Sequence, residues 1–191
     1  MRKQKGFSLI ELLIVVAIIL IIAAIAIPSL LRSRIAANDS AAASSLRTIN
    51  TAEVTYSSSY PGVGYAQDLK FLGSNTVNCT LAASVTSTSA CLIDDTLGCA
   101  TSTGAGCPKG GFHYFAGPGS AAAGPPNADY VISASPISMG FSGDKDYCSI
   151  PDAVVRVDPP PTVNPPPVPA LLAAPETTAN CINPATYGPL Q

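Results

Sequence analysis

Charge is scarce in this 191-residue chain: Lys, Arg, Asp and Glu together make up 12% of it, and the formal net charge is −2. No basic stripe runs along it, so nucleic acid is not expected as its main partner. Histidine is almost missing, with His113 alone. No Ser/His/Asp set, glycine-rich phosphate loop or CxxCH haem attachment site can be assembled. None of the six cysteines stands at CxxC spacing: Cys91 and Cys99 are eight apart, as are Cys99 and Cys107. That spacing argues against zinc. These absences predict a chain that is not an enzyme and holds no cofactor or metal. His113 is expected to be a packed or half-exposed strand residue. Asp144, Asp146, Asp152 and Asp158 fall near turns in no calcium-loop spacing, and are expected to be solvated.

Long apolar character is what the chain does have, and it sits at the start. Residues 7–27 are apolar except for Ser8 and Glu11. As a helix that run spans about 30 Å, the thickness of a bilayer's hydrocarbon layer. Arg2, Lys3 and Lys5 stand in front of it, which predicts a membrane-inserted helix with a cytoplasmic N-terminus. A secretory signal peptide would carry a shorter apolar core, about 7–15 residues, followed by a small-residue cleavage site. Glu11 is the anomaly. An acid at the centre of a membrane helix costs roughly 2.5–3.5 kcal/mol, and less near its end. It therefore needs either water or a partner.

A short basic leader ending in Gly6, then Phe7, then Glu11 four residues on, then an unbroken apolar run resembles the class III signal of type IV pilins and type II secretion pseudopilins. The resemblance is strong over about the first 60 residues and loose beyond. It implies cleavage between Gly6 and Phe7 by a prepilin peptidase and N-methylation of Phe7. It also implies that Glu11 faces the amine of a neighbouring subunit's Phe7 inside a filament, where a buried carboxylate needs a cation. Loss of the leader removes Arg2, Lys3 and Lys5, leaving 7 basic against 12 acidic residues, a net charge of −5. The implied function is a structural subunit of a type IV pilus-like filament. A type II secretion pseudopilin and a minor pilin or adhesin acting as a binding module are the alternatives. The implied partners are copies of itself, the prepilin peptidase, an inner-membrane assembly platform and membrane lipid before assembly; DNA enters only for an uptake pilus. The implied location is the inner membrane in a single pass, then an extracellular pilus or periplasmic pseudopilus.

Beyond the apolar run, Pro28 removes one helical hydrogen bond, and a kink or local melting is expected there. Leu31, Ile35, Ala42, Leu46, Ile49 and Tyr56 recur at steps of three, four or seven, one apolar stripe of a continuing helix. Arg32, Arg34, Asn38, Asp39, Arg47 and Asn50 occupy its other faces. Pro61-Gly62 ends it, so that the helix runs from about Phe7 to Ser58. Leu69, Phe71 and Leu72 are expected to pack under a head. Residues 73–111 are rich in Ser, Thr, Gly and Cys and are expected to be a disulfide-held loop region. An even cysteine count in such a segment suggests disulfides in an oxidising compartment, with Cys79, Cys91, Cys99, Cys107, Cys148 and Cys181 all candidates. Strand signals follow at 111–116, 129–135, 146–150 and 153–157.

The expected fold is α+β and pilin-like: a long N-terminal helix, half of it transmembrane, packed on a small antiparallel sheet. Its segments are a leader at 1–6, a membrane or filament-core helix at 7–28, an amphipathic half at 29–60, a head at 61–158 and a Pro-rich tail at 159–191. The tail's prolines predict an extended polyproline spacer. Residue spacing leaves the disulfide connectivity open among 15 possibilities. The resemblance implies Cys148–Cys181, because pilin heads often close a C-terminal loop in that way. The sequons at Asn38 and Asn78 are short enough to occur by chance.

Overall fold

The computed structural model describes residues 8–74, 79–80, 85–99, 106–119, 126–158, 178–182 and 188–189. The chain divides into two compact units, 1–34 and 35–191. One helix, α1 (Leu9–Ser59), begins in the first and continues into the second. It runs past Pro28 without interruption. Of the kink and local melting expected there, the melting does not occur, since proline withdraws only its own donor and neighbouring bonds keep the turn closed.

In the first unit no described residue covers α1. Its apolar side chains lie open, from Leu9 at 76% to Leu31 at 51% exposure. The predicted stripe therefore becomes core only further on. Leu31 is exposed and Ile35 half-buried, whereas Ala42, Leu46, Ile49 and Tyr56 are buried. Asn50, expected on a polar face, is buried as well, along with Ala43, Ala52 and Glu53.

The second unit is a head built on that buried face. A short helix, α2 (Leu69–Leu72), is capped by the Asp68 carboxylate, which accepts from the Lys70 N–H. It buries Leu69 and Leu72, as expected, and leaves Phe71 partly covered. The sheet has six strands among the described residues: β1 (Cys107–Lys109), β2 (Phe112–Gly117), β3 (Val131–Pro136), β4 (Asp146–Ser149), β5 (Arg156–Asp158) and β6 (Gly188–Pro189). Every strand pairs antiparallel with the one before it, in the order β1-β2-β3-β4-β5-β6. The four expected strands correspond to β2–β5. The last of these starts later than expected, because Pro151 and Asp152 form a turn and Ala153 adopts a left-handed φ of 58°. β1 and β6 are additional.

Alternation along the strands sorts the sheet's two faces. Phe112 and Tyr114 of β2, Ile132 and Ala134 of β3 and Tyr147 of β4 join Leu46, Ile49 and Tyr56 of α1 in one core. On the opposite face Val131, Cys148 and Ile150 pack with Cys181 of a second short helix, α3 (Thr178–Cys181). All six cysteines are bonded, as Cys79–Cys91, Cys99–Cys107 and Cys148–Cys181. The first two pairs clip the 73–111 region locally, and the third ties α3 to the central sheet. The Pro-rich run at 159–169 lies outside the described residues.

Candidate assembly site

Gly6 and Phe7, the expected cleavage and methylation positions, lie outside the described residues. The site begins at Ser8. Its carbonyl takes the first helical bond, from the Leu12 N–H at 3.3 Å, so Ser8 stands at the N-cap. Glu11 occupies the third helical position, and its Oε2 accepts the Ser8 N–H at 2.9 Å. This is the backward half of a capping box, in which a carboxylate satisfies a donor the helix itself cannot reach. A carboxylate in the first turn also meets the positive end of the helix dipole. Glu11 thus has a partner within its own chain while its side chain remains exposed. The Ser8–Glu11 spacing carries a capping signal in the sequence that the filament reading passes over.

From Glu11 to Leu31 the helix offers large aliphatic side chains on every side: Leu12, Leu13, Ile14, Val15, Val16, Ile18, Ile19 and onward are all at least 46% exposed. A helix apolar all round belongs in a membrane or inside an assembly. It is long and apolar enough to cross a bilayer.

In the head, the helix is held by a polar cluster that the sequence reading missed. Asn50 Nδ2 donates to Ser149 Oγ at 2.9 Å, and Asn50 Oδ1 accepts from the Tyr130 hydroxyl at 2.9 Å. One side chain therefore joins α1 to β4 and to the residue just before β3. Glu53 is fully buried, with Oε2 accepting the Ala66 N–H at 2.9 Å. Burial pushes its carboxyl up to about 8, against the opposing pull of that N–H. Burial also raises the Tyr130 and Tyr147 hydroxyls. Tyr56 donates to the Ser87 carbonyl, pinning the loop region to the helix. The spacing Leu46, Ile49, Glu53, Tyr56 would have placed Glu53 on the buried stripe; its charge hid it.

The remaining sequence candidates are scattered. His113 is half-buried in β2, opposite Ser135, as a packed strand residue. Asp152 pairs with Arg156, which lowers its carboxyl. Burial raises the Asp94 carboxyl, but Lys109, Thr96 and the Leu97 N–H outweigh it and hold it at about 2. Asp39 is raised by burial, while the Asp144 N–H it accepts works against this. Asn38 of the first sequon donates to the Ser142 carbonyl at 2.7 Å, and Asn78 of the second lies outside the described residues. Among the described residues no three His, Cys, Asp or Glu side chains are grouped to hold a metal.

A long N-terminal helix, apolar at its start and built into an antiparallel sheet head further on, together with three disulfides, defines an α+β pilin fold. Comparison with known proteins finds likeness over a short part of the chain. The prokaryotic N-terminal methylation motif matches residues 1–27. Over 39 residues the chain is 67% identical to the type IV wide pilus major component PilA4 of Thermus thermophilus; the alignment takes in 20% of this chain and 30% of that relative. No solved structure matches the chain. The likeness is thus to a methylation motif at the N-terminus and to a short stretch of one pilus component, and the chain spans under a third of that relative's length.

Proposed function

We propose that this protein is a structural subunit of a type IV pilus-like filament. A peptidase removes residues 1–6, Phe7 is methylated at its new amine, and the subunit waits in the inner membrane before joining the fibre. The observation that carries this reading is the contrast along α1, whose large apolar side chains lie open up to Leu31, whereas Leu46, Ile49 and Tyr56 are buried in the head. The methylation motif over residues 1–27 supports the processing step.

Lipid tails are as apolar as leucine, so leaving the bilayer for a filament gains little from the hydrophobic effect itself. What assembly adds is close packing between equivalent helices and a cation for Glu11. The methylated Phe7 amine of a neighbour supplies that cation within the low-dielectric fibre core. Glu11 then exchanges its bond to Ser8 for an ion pair between subunits, which sets their axial register.

The test is intact mass and N-terminal sequencing of the protein from sheared surface fibres. The expected chain starts at methylated Phe7, and Gly6→Val should retain the leader. A mature chain that still begins at Met1, or a Gly6→Val protein of unchanged mature mass, would overturn the proposed processing.

A further inference from the structure

We propose that the β3–β4 loop, residues 137–145, is a lipid-contacting surface of the head: Phe141 and Ile137 enter the interfacial layer of the same membrane that holds the first half of α1. The inference rests on the membrane reading of that helix and adds a second contact to it.

Phe141 is 77% exposed and Ile137 49%, and Phe141 is the most exposed large apolar side chain of the head among the described residues. This loop is not loose. Ser142 N and Phe141 N donate to the Ser138 carbonyl, Gly140 N to the Gly143 carbonyl, Ser138 N to Ser142 Oγ, and Ile137 N to the Gly111 carbonyl. A loop so closed upon itself holds its aromatic outward by construction.

Its anchor on α1 is equally definite. Asn38 Nδ2 donates to the Ser142 carbonyl at 2.7 Å, and the Asp144 N–H donates to Asp39 Oδ1 at 3.4 Å. Gly143 is wedged between them: a Cβ there would come within 2.4 Å of the Phe112 ring and 2.9 Å of the Asp39 carboxylate. The loop is thus bound to residues 38 and 39, seven or eight residues past Leu31. Seven residues cover about 10 Å as helix and at most about 25 Å fully extended. The polar interface adds about 5–8 Å on each side of the hydrocarbon layer. On the membrane reading of α1, that tether leaves the loop within reach of the bilayer surface, where aromatic side chains concentrate. Arg32 and Arg34 lie in the intervening chain, exposed and without an ion pair among the described residues, suited to lipid phosphates.

The chain contains no tryptophan, so Phe141→Trp creates a single fluorophore. The full chain, reconstituted in mixed phosphatidylethanolamine and phosphatidylglycerol vesicles, should emit at shorter wavelength than a Ser58→Trp variant. Lipids brominated near the headgroup should quench Phe141→Trp and leave Ser58→Trp bright. Ile19→Trp, near the middle of α1's apolar half, reports the anchor separately through lipids brominated deep in the acyl chains. If Ile19→Trp is quenched while Phe141→Trp matches the Ser58 control, the loop contact is overturned and the membrane reading stands. If Ile19→Trp is not quenched, both fall. Shielding of Phe141→Trp that arises only in assembled fibres also overturns the proposal, in favour of a contact between copies.

Discussion

Glu53 lies wholly buried with Oε1 meeting no hydrogen-bond partner among the described residues, while Oε2 accepts the Ala66 N–H just after the turn that ends α1. Burial disfavours the charged form more than one N–H favours it, so the folded head keeps the proton to about pH 8, against an ordinary value of 4.5. The unfolded chain releases that proton earlier. The stability linked to Glu53 is therefore complete below the unfolded value, declines as pH rises, and is gone above the folded one. Thermal melts of the protein from about pH 5 to 9 should show a falling midpoint. Glu53→Gln, which keeps an acceptor for Ala66, should flatten that slope; an equal slope in both proteins would remove Glu53 as its cause.

The elements were legible in the sequence in proportion to how much of their burial was repetitive. The second half of α1 announced itself through Ala42, Leu46, Ile49 and Tyr56, and β2–β5 through short aromatic and β-branched runs. β1 and β6 did not: they have three and two residues and each contains a proline, Pro108 or Pro189, which suits only strand edges and resembles loop chemistry. The candidate site divides in the same way. Glu11 is conspicuous as an acid in an apolar run, whereas its bond to Ser8 depends on where the helix starts. Asn50 is polar yet buried, because its amide is bonded to Ser149 and Tyr130, a tertiary fact its spacing on the helix does not carry. Pairing of the cysteines could not come from spacing, because connectivity is a tertiary fact; for Cys148–Cys181 only the family resemblance anticipated it. That bridge closes a separation of 33 residues between β4 and α3. Replacing both cysteines by serine should lower stability by about 3–4 kcal/mol on the loop-entropy account. Denaturant unfolding of the double variant measures it. A loss well under 1 kcal/mol would mean that packing of α3 on Val131 and Ile150 suffices without the bond.

For the molecule as a whole, the two units impose opposite requirements on one helix. The head has a buried core within one copy, whereas no described residue covers the apolar half. Glu11→Ala removes a capping interaction whose loss typically costs about 1 kcal/mol at a helix end, and it also makes the membrane segment more apolar. It should therefore insert in the membrane as before and keep a folded, disulfide-bonded head, yet yield few filaments. Fractionation and electron microscopy of sheared fibres separate these outcomes, and normal fibre yield would leave Glu11 a capping residue only. The meander β1-β2-β3-β4-β5-β6 carries a last consequence. Because each strand among the described residues pairs with its neighbour in sequence, a head made in chain order can zip one hairpin at a time. The edge of β5 stays open across the long stretch before β6, and the bond between Cys148 and Cys181 clasps that stretch back to the sheet before β6 arrives.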